Sequence, residues 1–444
     1  MMQLFGTDGV RGTAGQPPLD EATVIRFGAA LVQVLPHEGR GRLLVGRDTR
    51  ESGPAIEQAI ARGVRAMGSD ILSAGVIPTP AVAYLTRTLG FDAGIVISAS
   101  HNPYRDNGIK VFSGRGEKFD GRLEREIERL VFDPAAAIDV PEPTPVETID
   151  GVAPYIEHAR QVLPDAGPLG GCKIALDCAN GATAAIAPRV FAALGFDVTT
   201  VGDAPDGRNI NLACGSTHPE GLTALVTDGG YAMGAAFDGD GDRVILVDGR
   251  GCIVDGDAIM LLCARHLQQQ GRLHRNTVVA TVMSNIGLEL ALRDNGIGLV
   301  RCAVGDKYVM EELLARGLSL GGEQSGHIIL SDFLFTGDGM ATTLFVLRVM
   351  AESGRTLADL AAEFSSYPQT LVNVRVGAKP DLRDVPALAA VMANVERRLA
   401  GRGRLLVRYS GTEPLLRIMI EGEDQGQIQT WAEEIAEAAR AHLP

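Results

Sequence analysis

Between two short apolar runs the chain carries FDGDGDR (237–243), in which Asp238, Asp240 and Asp242 alternate with glycine. Three carboxylates within one turn repel one another, and the usual remedy is a hard cation with oxygen ligands, which points to magnesium or calcium. The run begins like an EF-hand loop, but that loop needs Gly at its sixth position and Glu at its twelfth. Here those places hold Arg243 and Gly249, so the EF-hand reading fails. A solvated acidic turn is the bland alternative. Arg243 sets a planar guanidinium beside the acids, where it could hold a phosphate oxygen against the ion.

ISASHNP (97–103) places Ser100 directly after an apolar strand, with His101 beside it and an Asn-Pro turn fixing the loop. A lone loop serine is ordinary, and no GxSxG elbow supports a hydrolase triad. Lys110 in DNGIK and Arg11 in GTDGVRG raise its standing, together with the expected metal. A phosphorylated serine carries about −1.5 to −2 charge at neutral pH. Beside three carboxylates that charge needs a divalent cation and basic side chains, and both are supplied.

RYSGTEPLLR (408–417) offers Arg408, Ser410, the Gly411 amide, Thr412 and Arg417 between two strands, a set suited to a dianionic phosphate. It lacks the lysine and spacing of a Walker loop, so nucleotide binding is not indicated. A structural hairpin with salt-bridged arginines is the alternative. GGEQSGH (321–327) sets Glu323, Ser325 and His327 at alternate positions, which in an extended segment point the same way. Glu323 and Ser325 side by side could grip adjacent sugar hydroxyls; a plain polar turn is equally compatible.

These clusters need positioning elements, and a repeat supplies them. Three times the chain runs strand, polar loop, helix, Gly turn, strand: from RLLVGRDTR (42–50), KIALDCANGA (173–182) and NTVVATVMSN (276–285), with Gly68, Gly195 and Gly296 at the helix ends. Further along each copy a small-residue strand ends in a polar cluster, namely 92–103, 231–243 and 318–330. Open α/β sheets bind ligands beyond the carboxyl ends of their strands, so each copy is expected to lend one loop to a shared cleft. The fold class is α/β, three similar α/β domains around a central cleft plus a smaller α+β C-terminal domain of βαββα order. Expected boundaries are 1–150 (phosphoserine loop), 151–252 (metal loop), 253–367 (sugar loop) and 368–444 (phosphate binding), with PEPTP (141–145) as a linker.

Composition removes competing classes. At 444 residues one core is not enough. The 54 glycines are about 12% of the chain against an average near 7%, which suits many tight turns at ligands. A formal charge of −14 argues against nucleic acid, which needs a basic surface. The six cysteines show no CxxC pair and no zinc spacing, as expected of thiols in a reducing compartment. No apolar run approaches a membrane span, and no signal sequence opens the chain, so a cytoplasmic protein without membrane contact is expected.

Taken in order, FGTDGVRG, ISASHNP with Lys110, DGDGDR, GGEQSGH and RYSGTEP resemble the phosphohexomutase superfamily over nearly the whole chain. The opening and the GEQSGH loop are most similar to its bacterial members acting on glucosamine phosphate. The resemblance implies that Ser100 is a phosphoserine sharing magnesium with Asp238, Asp240 and Asp242. It implies that Glu323 and Ser325 select the sugar, and that Arg408, Ser410, Gly411, Thr412 and Arg417 hold the phosphate not being transferred. His101, Lys110, Arg243 and His327 would surround the reacting group, with Thr7 and Arg11 in the N-terminal active-site loop. Lys307 stands where relatives commonly have Arg. The implied reaction interconverts glucosamine 6-phosphate and glucosamine 1-phosphate through a 1,6-bisphosphate that also activates the enzyme, feeding UDP-N-acetylglucosamine and cell-wall precursor synthesis. Homodimers are common in the family. A preference for mannose or glucose phosphate, a metal-dependent sugar phosphatase and a non-catalytic binder stand as alternatives, and His101, Lys110 and His327 are all candidates for the general base.

Overall fold

The computed structural model describes residues 4–6, 8–35, 40–133, 138–410 and 414–443. Thr7, Gly411 and Thr412 lie outside the described residues. The chain forms two compact units, one running to Met283 and resuming over Ile297–Ala362, the other Ser284–Gly296 with the chain from Glu363 onward.

The repeat seen in the sequence is a repeat of sheet topology. In the first copy, strand Arg42–Arg47 lies parallel to Asp70–Val76 on one side and to Ala93–Ile97 on the other, and Asp106–Ser113 closes antiparallel. The second copy has Lys173–Asp177 between Asp197–Val201 and Met233–Phe237, with Val244–Asp248 antiparallel. The third has Thr277–Thr281 between Gly298–Cys302 and Leu320–Gly322, with Ile328–Leu330 antiparallel. Ala93–Ile97 and Met233–Phe237 are buried along their whole length, which is why they read as unbroken small apolar runs rather than alternating ones. Gly68, Gly195 and Gly296 have φ of +74°, +88° and +68°, the left-handed region that lets each helix stop and turn into its next strand.

Each polar cluster follows the strand that pairs antiparallel with its successor. Ser100 leaves Ala93–Ile97, the acid run leaves Met233–Phe237, and Glu323 leaves Leu320–Gly322. The first sheet is extended by the N-terminal residues, with Phe5–Gly6 and Gly9–Thr13 pairing antiparallel and the latter joining Asp106–Ser113. This registers Arg11 opposite Gly108, two residues from Lys110. The Pro-rich stretch is tied down: Arg62 donates to the Pro141 carbonyl at 3.0 Å, and Arg65 to Thr144 and Pro145 at 2.8 and 2.9 Å. Beyond it Glu147–Thr148 adds an edge strand to the same sheet.

The second unit has strands Gln369–Arg375, Arg404–Tyr409 and Leu415–Glu421 in an antiparallel sheet with Leu415–Glu421 central, and helices Pro386–Leu399 and Gln425–His442, the expected order. One helix of the third repeat, Ile286–Asp294, belongs with it. The Ile286 amide donates to Glu421 Oε2 at 3.0 Å and Asn285 Nδ2 to the Tyr367 carbonyl at 3.0 Å.

The α/β domains of the first unit are joined by a stack of three rings. His158, on helix Val152–Arg160, lies between Tyr84 and Phe333 with centroids 3.9 Å away on both sides. Burial and nearby Arg87 push its imidazole down to about 4. In the unfolded chain it titrates near 6.5, so between those values only the unfolded state binds the proton. The stability His158 contributes is therefore full above pH 6.5 and is lost as pH falls towards 4. Asp338, raised by burial to about 6, acts in the opposite direction over its own range. His158→Phe keeps the stack and removes the proton site. Its melting temperature relative to the parent is expected to rise progressively as pH is lowered from 6.5 to 4, followed by calorimetry; a constant difference would refute this account.

Candidate active site

Asp238, Asp240 and Asp242 are buried, and each offers a carboxylate oxygen within 4.8 Å of the others. The glycines permit the tight curl. A Cβ at Gly239 would stand 2.6 Å from the Ser100 carbonyl oxygen, so only glycine lets this loop close on the serine loop. Thr79, at the start of helix Thr79–Thr88, donates its hydroxyl to Asp240 Oδ2 at 2.6 Å and its amide to the Asp240 carbonyl at 2.9 Å. Asp240 Oδ1 and Asp242 Oδ1 are buried without a hydrogen-bond partner among the described residues. Crowded carboxylates with unsatisfied oxygens fit a hard cation.

Ser100 lies against this triad. Its Oγ donates to Asp238 Oδ2 at 2.5 Å and is 3.3 Å from His101 Nδ1. Arg243 Nη1 also approaches His101 Nδ1, at 3.1 Å. A guanidinium can only donate, so Nδ1 carries the lone pair and Nε2 the hydrogen. Desolvation and the charges of Arg243 and Arg11 push the imidazole down to about 4, keeping it neutral. His327 is held differently, its Nε2 accepting the Gly337 amide at 3.0 Å while Nδ1 stands 3.6 Å from Asp242 Oδ1.

Lys110 answers the acids directly, donating to Asp240 Oδ2 at 2.9 Å and Asp242 Oδ2 at 2.8 Å, and lying 3.3 Å from Asp8 Oδ2. Burial alone would lower its pKa, but Asp240, Asp242 and Asp8 raise it well above the ordinary lysine value, so it is an ammonium. Asp242 is likewise held well below the carboxylate range: Lys110 and His327 outweigh desolvation. Asp238 goes the other way, raised by desolvation and by the charges of Asp242 and Asp240. Arg11 pairs with Asp8.

Four domain families of phosphoglucomutase/phosphomannomutase match the chain: alpha/beta/alpha domains I, II and III over residues 2–137, 153–251 and 255–367, and the C-terminal domain over 371–438. A phosphoglucosamine mutase of Moorella thermoacetica is 51% identical over 437 residues, 97% of this chain and 97% of its own. Another, of Syntrophotalea carbinolica, is 47% identical over 449 residues, 99% of this chain and 98% of its own. The chain belongs to the phosphoglucosamine mutase family of the phosphohexomutases. It is an enzyme, an isomerase. A solved phosphoglucomutase/phosphomannomutase family protein of Burkholderia thailandensis shares the fold, with a TM-score of 0.80 and 24% identity over 99% of this chain and 97% of its own.

In this mutase the sugar-loop residues do not all point one way, contrary to the extended reading of GGEQSGH. The segment is a tight turn, closed by the Gly326 amide on the Glu323 carbonyl at 3.0 Å and the Glu323 amide on the His327 carbonyl at 2.9 Å. Glu323 and His327 are buried and Ser325 is exposed. The turn is pinned to the acid hairpin by the Val244 amide on the Gly326 carbonyl at 3.1 Å. Glu323 Oε1 accepts the Gly305 amide at 3.2 Å. In the second unit Arg408 lies directly across the sheet from Arg417. Like charges placed opposite are unfavourable by themselves, and an anion between them would relieve the repulsion. The Ser410 amide bonds the Leu415 carbonyl at 2.8 Å, and Lys379 Nζ reaches the Ser410 carbonyl at 2.6 Å.

Sequence reasoning missed Asp8, Lys118 and Asp306. Lys118 Nζ bridges Asp8 Oδ1, at 2.6 Å, and Asp306 Oδ2. Asp306 Oδ2 in turn lies 3.6 Å from His327 Nε2. Lys307, whose role the sequence left open, pairs with Glu124 at 2.5 Å, a second tie between the first and third α/β domains. No local motif marks these residues; an acid inside GTDGVRG was the available signal. Lys118→Met leaves buried Asp306 and half-buried Asp8 without their shared cation. Urea unfolding of the first unit is expected to show a loss of roughly 3–5 kcal/mol, the cost of breaking a buried ion pair from one side. A loss below about 1 kcal/mol would place the pair among weak surface bridges.

Proposed function

We propose that this enzyme interconverts glucosamine 6-phosphate and glucosamine 1-phosphate by way of phospho-Ser100 and glucosamine 1,6-bisphosphate. The observation that carries the reading is the approach of Ser100 Oγ to Asp238 Oδ2, inside a ring formed by Lys110, Arg243 and the acid triad. An unmodified serine needs no such concentration of charge, whereas a phosphoserine does.

In the first half-reaction the phosphorus–oxygen bond to Ser100 breaks and one forms to the free hydroxyl of the sugar monophosphate, whose proton passes to the medium or a neighbouring base. The bisphosphate turns round, its other phosphoryl group returns to Ser100 Oγ, and the isomeric monophosphate leaves. Phosphoryl transfer asks mainly for positioning and charge stabilisation, so a weak base suffices. His101 is the neutral imidazole nearest Ser100 Oγ and suits that task. Lys110, held as an ammonium, stabilises charge. Asp238, Asp240 and Asp242, with the Ser100 phosphate, would hold a magnesium ion, whose charge would offset that of the phosphoryl oxygens. Glu323 and Ser325 contact the sugar, Arg11, Arg243 and His327 line the reacting group, and Arg408, Ser410, Gly411, Thr412 and Arg417 hold the other phosphate. The product feeds UDP-N-acetylglucosamine and cell-wall precursors in the cytoplasm, a setting that suits six free thiols.

The decisive experiment compares glucosamine, glucose and mannose 1-phosphates, each with its 1,6-bisphosphate, and scores Ser100 phosphorylation by intact mass. Fastest turnover of the amino sugar is expected. Release of inorganic phosphate without isomerisation would remove the mutase mechanism, and preference for mannose phosphate would change the substrate alone. Arg417→Ala should weaken monophosphate binding by roughly 1.5–3 kcal/mol, the worth of charge-assisted hydrogen bonds, while Ser100 still carries its phosphate. Equal binding by titration calorimetry would cancel the clamp assignment.

A further inference from the structure

Ser100 has φ of +51°, a left-handed conformation that is unfavourable for a residue with a Cβ. Such a conformation persists only where its surroundings over-determine it. Ser98 Oγ accepts the Ser100 amide at 2.8 Å, and two further side chains hold the carbonyls. The Ser100 and Asn102 carbonyls point to one place, and Arg50 Nη2 donates to both, at 3.2 and 2.6 Å. Asn211 Nδ2 donates to the same two, at 2.9 and 3.1 Å. Two donors and two acceptors thus form a closed buried square beneath the serine, with Arg50 1% and Asn211 9% exposed.

Both donors are anchored. Arg50 pairs with Asp48, and its own amide bonds Asp48 Oδ1 at 2.9 Å. The Asp48 amide bonds the Ile97 carbonyl at 3.1 Å, at the end of the strand that leads to Ser100. Asn211 comes from the second α/β domain, its amide on the Ala179 carbonyl at 2.9 Å, and it is itself left-handed with φ of +57°. Gly239 of the acid loop closes the stack, since a Cβ there would stand 2.9 Å from Asn211 Nδ2. Apart from the Arg50–Asp48 pair, the donations described for these side chains fall on the serine-loop backbone and not on Ser100 Oγ, so their influence travels through that backbone.

We propose that Arg50 and Asn211 are positioning residues that lock Ser100 in its left-handed conformation, aiming Oγ at the acid triad for phosphoryl transfer in both directions. The inference rests on the phosphoserine reading. Released from the square, the loop relaxes to right-handed or extended backbone and carries Oγ off line. A misplacement of about 1 Å costs roughly 10²-fold in rate.

The informative substitution is Asn211→Gly, because glycine keeps the left-handed backbone of position 211 and removes the side chain that carries the amide donor. Dephosphorylated enzyme is mixed with glucose 1,6-bisphosphate, and the rate of phosphoryl gain is followed by intact mass. The expected result is a fall of roughly 10²-fold in that rate and in kcat, with the Kd for sugar monophosphate and the Tm close to the parent's. Arg50→Lys, which keeps the charge facing Asp48 but lacks the planar fork, is the second variant and should fall likewise. Phosphorylation of a folded variant at the parent's rate overturns the proposal. If the parent gains no phosphoryl group, the phosphoserine reading fails. The lock is then judged by amide hydrogen exchange over residues 98–103, where faster exchange in the variants upholds it and unchanged exchange overturns it.

Discussion

Five carboxylates from three separate parts of the chain lie close together, four of them buried and Asp8 half-buried, and the cations around the site answer that fact. An unpaired buried carboxylate costs several kcal/mol, and like charges add to it. Asp238, Asp240 and Asp242 belong to the second α/β domain, whereas Lys110, which meets two of them, belongs to the first. Asp306 of the third is met by Lys118 of the first. Asp8 sits between those two lysines and Arg11. Ion pairs thus join these three domains alongside the ring stack, and the groups proposed for phosphoryl transfer are among those that tie the domains together.

This dual use explains why the Asp238 pair of oxygens serves two partners, the Ser100 hydroxyl on one and the Arg243 amide on the other. It also leaves one oxygen each of Asp240 and Asp242 without a hydrogen bond among the described residues. A site meant to receive a cation keeps lone pairs in reserve.

Much of this was legible in the sequence, for identifiable reasons. The acid run and the serine loop are local motifs, and the repeated strand, helix and glycine punctuation has a short period that reveals the topology. What stayed hidden depends on contacts between residues far apart in the chain. Lys118 lies in an unremarkable segment bridged to Phe112 and gains meaning only when Asp306 arrives 188 positions later. The GGEQSGH segment misled through its alternation, because the hydrogen bonds that fold it into a turn leave Ser325 facing away from Glu323 and His327. The helix Ile286–Asp294 carries the periodicity of its repeat, yet a single amide on Glu421 assigns it to the second unit. Periodicity reports which face is buried and is silent about what buries it.

The division of charge among the domains has a consequence for how the protein is made. Synthesis proceeds from the N-terminus, and domains fold as they emerge. The first α/β domain brings Lys110, Lys118 and Arg11 with Asp8 as their acidic neighbour in the network, so on the ribosome its catalytic edge is a cationic surface without its counterions. The acids reach it later, with Asp240 and Asp242 and then Asp306. Completion of the third domain is what turns this basic patch into an enclosed, nearly balanced active site.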